Sequence, residues 1–519
     1  MPFWKKISPR RIQVRKNIFD DRFTRMSRML NTDSLISILL WLLFVLLCIP
    51  ILTFELIQKV YYFDLIFTTI IVLLICLAIA FYIHHYQKRI IINHARALAI
   101  VGLYTMLLIT TKVVALLFKN TSGATGSAVT AAIILTIAYN QRFAIGMIMF
   151  YCLLGCFATG TFEQYQLTGI NLFLTMIAGA VTCCFSLREI RTRMKLLQVS
   201  ALSAAIVFIT AGSLACLDLL PEKLTLSELS EVFSNAGYHA GATFLVGLLI
   251  QSLLPLIEKI FHIATSMTLL DYSDANQPLL KKLAMEAPGT FSHSLLIGSI
   301  AEAAAEAINC NGLLCRVGAY YHDIGKINKA TYFIENAFGS ASRHKELSPT
   351  MSQLIIVGHV KDGIEMAREY NLPNVLRQFI ETHHGTTLIE HFYHEAKKLK
   401  IKNSKGKTID EPSESEFRYP GPKPRSKEAA IVMLADTIEG AVRSLPEVTP
   451  TKVEAVVHTM SMRRLQDGQF DECDLSLREL SQIEASISKT LAAHHHGRIA
   501  YPKPPDMPDE VQTKTGQLR

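Results

Sequence analysis

Eight long apolar stretches between residues 35 and 260 constrain this chain more than any other feature. They run over Leu35–Leu56, Tyr62–Ile83, Ala97–Phe118, Gly123–Tyr139, Phe143–Ala158, Ile170–Leu187, Leu202–Leu220 and Ala240–Ile260. A helix crossing a bilayer needs roughly 20 predominantly apolar residues. Within the bilayer the backbone must satisfy its own hydrogen bonds. Residues 35–260 are therefore expected to form a polytopic helical membrane domain of seven to eight spans. The fourth and fifth stretches are short, and only Asn140, Gln141 and Arg142 part them. They form either two spans or one bent or re-entrant element.

Charge placement favours eight spans. Residues 1–30 carry nine Lys/Arg against two Asp, the pattern of a cytoplasmic flank rather than a nucleic-acid surface. With the N-terminus inside, the even-numbered connections carry Lys88, Arg89 and Arg96, then Arg142, then Arg188, Arg191, Arg193 and Lys195. The odd-numbered ones carry only Lys59, Lys119 and Lys223, while Lys112 is expected to snorkel. Acids within the spans are few, and Glu55 and Asp64 sit near span ends, so an ion path is not indicated. Anchor, dimerisation module or sensor is the expected role, and a homodimer is compatible with it. The first run is too long for a signal-peptide core and no small-residue cleavage site follows it. The ten cysteines include no CxxC pair, which points away from a zinc ribbon or a disulfide scaffold.

From residue 261 the composition is that of a soluble domain, expected over 261–502 and almost entirely helical. AlaProGlyThr (287–290) suggests a turn, followed by a helix over about Ser292–Ile308. Gly312–Ile324 is expected as a second helix capped by Gly325. Ser348-Pro349 is a strong helix start. Further helices are expected to start at Pro373 and to cover Lys427–Leu445. The charged, Pro-rich segment 397–424 suggests a flexible loop, and 503–519 a disordered tail.

This half concentrates histidines and aspartates in packed contexts. His293 opens a helix, His322 and Asp323 close the next, His359 lies in LIIVGHV, His383 and His384 precede a glycine, and Asp436 lies in VMLADT. Singly, each has an ordinary structural explanation. Asp436 is the hardest to dismiss, because burying a carboxylate without a partner costs several kcal/mol. Together, five imidazoles and two carboxylates form a donor set suited to Fe, Mn, Zn or Ni. The lack of thiolates argues against a structural zinc site. Seven donors exceed the need of one ion and suit two sharing a carboxylate. Such a pair can hold a hydroxide and clamp a phosphoryl group.

These residues lie in EAPGTFSHSL (286–295), RVGAYYHDIGK (316–326), YFIEN (332–336), GHVKDG (358–363), THHGT (382–386), FRYPGPKP (417–424), MLADTIEGAVRSL (433–445) and DGQFDEC (467–473). On these segments the C-terminal half resembles the HD-domain metal phosphohydrolases. Specifically, it resembles the seven-transmembrane HD family of bacterial membrane-bound cyclic di-AMP phosphodiesterases. The resemblance implies an all-α fold, a helical membrane domain followed by a cytoplasmic HD domain, and a place in the bacterial cytoplasmic membrane. It implies one metal on His293, His322, Asp323 and Asp436. A second would lie on Asp323, His359, His383 and His384, with Asp323 bridging. Two divalent ions, Mn2+ or Fe2+, would then support hydrolysis of cyclic di-AMP to 5′-pApA. Lys326 is a candidate catalytic and phosphate contact as a point charge. Tyr332, Asn336, His344 and Arg425 are weaker substrate-contact candidates.

Two departures stand out. Relatives carry a large extracytoplasmic domain between the first two spans, where only residues 57–61 intervene here. The family's His-His-Ser is Ser292-His293-Ser294. Alternatives are an HD hydrolase of another nucleotide, such as cyclic di-GMP, or a membrane nucleotide receptor without turnover. HHGTTLIEHFYH (383–394) lacks the HHExxxGxGYP pattern of the cyclic di-GMP class, and no ligand candidate is missing.

Overall fold

The computed structural model describes residues 32–59, 61–87, 90–91, 93–118, 120–160, 166–187, 192–219, 225–261, 263–337, 343–403 and 412–495. The basic tail up to residue 31, the loop centre 404–411 and the expected C-terminal tail lie outside them. So do Lys88, Arg89, Lys119, Arg188, Arg191 and Lys223. The chain divides between Thr268 and Leu269 into two compact units.

The N-terminal unit contains α1 (Thr32–Lys59), α2 (Tyr62–Tyr86), α3 (His94–Phe118), α4 (Ser122–Ala138), α5 (Gln141–Ala158), α6 (Gln166–Ser186), α7 (Arg193–Leu219) and α8 (Leu226–Phe261). Seven of these helices are long and apolar enough to cross a membrane, while α4 is apolar but only 17 residues long. The fourth and fifth apolar runs are two separate helices. Asn140 ends the connection between them, and its side chain accepts the Phe143 N–H at 2.8 Å to cap α5. The most enclosed helix is α4, with Ala124–Val129 and Ala131–Leu135 all buried. It packs against α3, α5, α6 and α8. Its Gly, Ala, Ser and Thr content permits the close backbone approach on which helix association in a bilayer depends.

Lys112 does not snorkel. It is 5% exposed, and its Nζ lies 2.7 Å from Glu55 Oε1 on α1. A carboxylate within reach offsets the cost of burying the ammonium where it stands, so the lysine has no need to extend to the interface.

Helix α9 (Ser266–Tyr272) straddles the division. The C-terminal unit continues with α10 (Pro278–Glu286), α11 (Pro288–Ala307), α12 (Gly312–Tyr321), α13 (Pro349–Glu369), α14 (Asn374–Thr382), α15 (Glu390–Asn403), α16 (Lys427–Arg443), α17 (Pro450–Gln466) and α18 (Leu477–His495). Both units are helical, and the described residues hold no strand beyond one isolated bridge, Leu388 to Arg418. Helix α16 forms the centre, with every residue from Ala429 to Ala435 buried. Around it pack Ile297, Ile300, Ala301 and Ala304 of α11, Phe379 of α14, and Leu480, Ile483, Ile487 and Leu491 of α18. The spacing of three and four along α18 lays one apolar stripe onto this core. Each fully buried Leu or Ile contributes about 1.5–3 kcal/mol.

The expected start at Ser348 caps its helix through its side-chain oxygen, and Ser426 caps α16 in the same way. Three local expectations are corrected. Residues 288–290 are the first turn of α11, with Pro288 at its first position, rather than a separate turn. Helix α12 ends at Tyr321, and the chain tightens into a 3₁₀ helix over Ile324–Tyr332, so Gly325 is not a cap. The expected loop 397–424 is helical to Asn403, and its far end is packed, with Phe417 2% and Tyr419 8% exposed. Burial of these two rings outweighs the charged character of their neighbours.

Candidate metal centre

Seven side chains from five parts of the C-terminal unit converge, and they are the seven singled out in the sequence. Two groups have donor atoms within 4.8 Å of one another. One comprises His293, His322, Asp323 and Asp436, the other Asp323, His359, His383 and His384. Asp323 belongs to both. Its Oδ2 lies 3.1 Å from His322 Nε2, while its Oδ1 lies 3.4 Å from His359 Nε2 and 3.5 Å from His383 Nε2. One carboxylate thus presents a different oxygen to each group.

Local helix geometry aims the imidazoles. His322 directs Nδ1 at the Ala319 carbonyl at 2.6 Å, and His359 directs Nδ1 at the Ile356 carbonyl at 2.5 Å. His383 directs Nδ1 at the Phe379 and Ile380 carbonyls at 3.1 and 3.0 Å. A carbonyl only accepts, so each Nδ1 carries a proton and Nε2 is the nitrogen left for the centre. Those Nε2 atoms point inward. His359 Nε2 and His383 Nε2 stand 3.1 Å apart. Two lone pairs that close repel unless a cation lies beside both. His322 Nε2 and Asp323 Oδ1 are buried and make no hydrogen bond. The donor set fits divalent metals in chemistry, tautomer and convergence.

His384 follows the end of α14, where Gly385 at φ +51° turns the chain. Its ring stacks on Tyr419, with centroids 4.3 Å apart, and its Nδ1 lies 4.0 Å from Asp436 Oδ2. His384 and Asp436 have side chains 22% and 14% exposed, whereas Asp323, His322, His359 and His383 are essentially enclosed. The cluster therefore opens on the His384–Asp436 side.

Electrostatics divides the histidines. Burial holds His359 down to about 3 and pushes His384 well below its ordinary value, so both are neutral donors. Burial also opposes charge on His322, but Asp323 and then Asp436 outweigh it and raise it to about 10. Burial would likewise raise Asp323, yet the charges of His322 and Lys326 hold its carboxyl well below the usual range. Asp323 and Asp436 are thus held ionised beside the protonated His322 and Lys326.

Lys326 Nζ is 2.7 Å from Asp323 Oδ2 and 2.8 Å from Glu335 Oε1. The other candidate contacts fall elsewhere. Asn336 uses its amide on Thr290, accepting from its N–H at 3.1 Å and donating to its Oγ1 at 2.8 Å, which ties down the first turn of α11. His344 donates to the Tyr332 carbonyl at 2.9 Å and packs on the rings of Tyr332 and Phe392. Arg425 has a side chain 71% exposed and pairs with Glu472 at 2.9 Å. None of these four makes a hydrogen bond or ion pair to the seven convergent side chains among the described residues.

Three participants escaped the sequence reading. Glu439 lies 2.9 Å from His293 Nδ1 through Oε2, leaving His293 Nε2 to face Asp436 Oδ1 at 3.0 Å. It stands one helical turn after Asp436 on α16, and that spacing was the available signal. Glu335 links Lys326 to Thr290 Oγ1. Tyr419 supplies the ring beneath His384.

Comparison with known proteins places this geometry. A family described as "7TM receptor with intracellular HD hydrolase" matches residues 62–265, and the HD domain family matches residues 290–441. The first match contains α2–α8, including the short α4, and α1 precedes it. The second contains all seven convergent side chains. The chain is similar to the cyclic-di-AMP phosphodiesterase PgpH of Bacillus subtilis, at 40% identity over 77% of this chain and 54% of that protein. It is also similar to PgpH of Listeria monocytogenes, at 36% identity over 72% of this chain and 50% of that protein. It therefore spans about half the length of these curated relatives. The crystal structure of the L. monocytogenes PgpH HD domain in complex with cyclic-di-AMP is 42% identical and covers 43% of this chain and 100% of that one, with a TM-score of 0.39. The chain is a multi-pass membrane protein whose residues 62–265 match the family of seven-transmembrane receptors with an intracellular HD hydrolase and whose residues 290–441 match the HD domain family.

Proposed function

We propose that the C-terminal unit is a dinuclear-metal phosphodiesterase that hydrolyses cyclic di-AMP to 5′-pApA. The observation that carries this reading is the division of Asp323, one oxygen toward each histidine group. Two curated relatives, each at least 36% identical, are named as cyclic-di-AMP phosphodiesterases. His293, His322, Asp323 and Asp436 would hold one ion, and Asp323, His359, His383 and His384 the other. Mn2+ or Fe2+ is the expected metal. When bound, the pair supplies Lewis acidity toward a phosphate ester and lowers the pKa of water. The chain's own residues orient that chemistry. His322, His359 and His383 are locked as Nε2 donors by backbone carbonyls. Lys326, set against Asp323 and Glu335, places a positive charge beside the carboxylate where a phosphate oxygen would lie.

The same reading places the C-terminal unit in the cytoplasm of a bacterial cell. Eight spans, the seven helices of the matched family plus α1, return the chain after α8 to the side of a cytoplasmic N-terminus. The deciding experiment uses purified full-length protein in detergent, loaded with Mn2+ or Fe2+ and assayed on cyclic di-AMP, cyclic di-GMP and linear dinucleotides, with products identified by mass. Conversion of cyclic di-AMP to pApA is expected. No turnover by folded, metal-loaded protein overturns the reading, and faster turnover of cyclic di-GMP reassigns the substrate.

A further inference from the structure

The membrane unit contains a polar recess remote in sequence from the metal centre and unused by its chemistry. It arises because α4 is short. Thr125 Oγ1, one turn into α4, meets His239 Nδ1 of α8 at 2.7 Å. From His239, α8 runs back 13 residues to its start at Leu226, about 20 Å at helical rise. Helix α4 starts only three residues before Thr125. Helices α6, α7 and α8 therefore wall a space that α4 does not fill. The cavity measures about 340 Å³, within the range of small-molecule sites, which begins at roughly 300 Å³.

Its lining is unusual for a membrane bundle. Asn120, Asn171, Thr175, Asp218, Asn235 and His239 all face it, from the end of the α3–α4 connection, α6, α7 and α8. Asp218 lies at the end of α7 and Asn235 in the first third of α8, both exposed, so the polar side chains gather toward one end of these helices. Asp218 is the one formally charged side chain among the described lining residues. Its Oδ2 accepts from Asn171 Nδ2 at 2.6 Å, which orients an exposed carboxylate at the rim of the recess. Thr175 is 3% exposed and donates to the Asn171 carbonyl at 2.8 Å, supporting that arrangement. The apolar remainder, including Leu172 and Val232, suits a short carbon frame.

We propose that this recess binds a small organic cation carrying an ammonium group, with Asp218 as counter-ion and the asparagine amides as hydrogen-bonding partners, while His239 is held by Thr121 and Thr125. The membrane unit is then a receptor for a solute that reaches it at the end of α8 opposite to the one continuing into residue 263. This inference stands whether or not the C-terminal unit cleaves cyclic di-AMP, because its test reads binding alone.

The test uses full-length protein in detergent and four probes: putrescine, ethanolamine, L-lysine and spermidine, each at millimolar concentration. Neutral diols serve as partners, 1,4-butanediol for putrescine and ethylene glycol for ethanolamine. At least one amine is expected to raise the thermal midpoint by several degrees, its diol to have no effect, and Asp218→Asn to abolish the shift. Asn235→Ala, on an exposed position of α8, serves if Asp218→Asn does not fold, with an expected loss of roughly five- to tenfold in affinity. Silence from all four amines overturns the proposal. So does a shift of equal size with the diols, or affinity unchanged in the variant that folds.

Discussion

Asp323 offers one oxygen to each half of the histidine cluster, so its removal and that of Glu439 have different consequences. Asp323→Ala should leave less than one ion per chain after gel filtration, with loss of turnover. Glu439→Ala should keep the donors but free the His293 ring, weakening metal affinity roughly 10–100-fold, with Glu439→Gln recovering part of it. Metal counted by elemental analysis decides, and two ions bound to Asp323→Ala would exclude a shared ligand. A second expectation concerns pH. His322 in the metal-free protein is raised to about 10, from an ordinary value near 6.5. The stability it contributes is fully present below about pH 6.5 and is lost as pH rises through about 10. Chelated protein should therefore lose thermal stability from pH 7 to 10, whereas metal-loaded protein has no such proton to lose and should stay level. Equal slopes would show that His322 faces no metal. His322, Asp323, His359 and Asp436 were legible because donors in apolar surroundings demand an explanation. Glu439 was not, since a glutamate within ThrIleGluGly looks like any solvent-facing helix residue. Nor were the places of Asn336 and Arg425, because their partners Thr290 and Glu472 lie 46 and 47 residues away.

At the scale of elements, the 3₁₀ segment after α12 brings Asp323 and Lys326 against α13. A Cβ on Gly325 would stand 1.9 Å from the His359 carbonyl oxygen and 2.5 Å from Gly363 N. Both are backbone atoms and cannot swing aside. Gly325→Ala should cost about 1–3 kcal/mol or more and part the two metal groups, seen as a lower thermal midpoint and incomplete metal loading. An unchanged midpoint would mean that this contact is loose. From local sequence alone Gly325 looks like a helix cap, because a glycine after an apolar helix most often is one. What local sequence could not show is the proximity of a second backbone from α13. The same limit explains Lys112, whose partner Glu55 lies 57 residues earlier. Helix positions follow from local periodicity, whereas a contact between distant helices depends on packing that no local pattern records.

For the whole molecule, the eight-helix reading of the membrane unit makes the side of the C-terminal unit a matter of parity. A reporter fused after Arg519 should register in the cytoplasm, and a periplasmic signal would remove one span from the count. Within the C-terminal unit, α16 joins two duties. Its residues Ala429–Ala435 fill the centre of the fold, and the next residue is Asp436, with Glu439 one turn on. Occupancy of the site and integrity of the fold are then linked by mass action, because an ion that grips Asp436 also grips the central helix. Supply of the bound metal in the cell would then set the lifetime of the protein. Starvation for that metal would clear the protein by proteolysis.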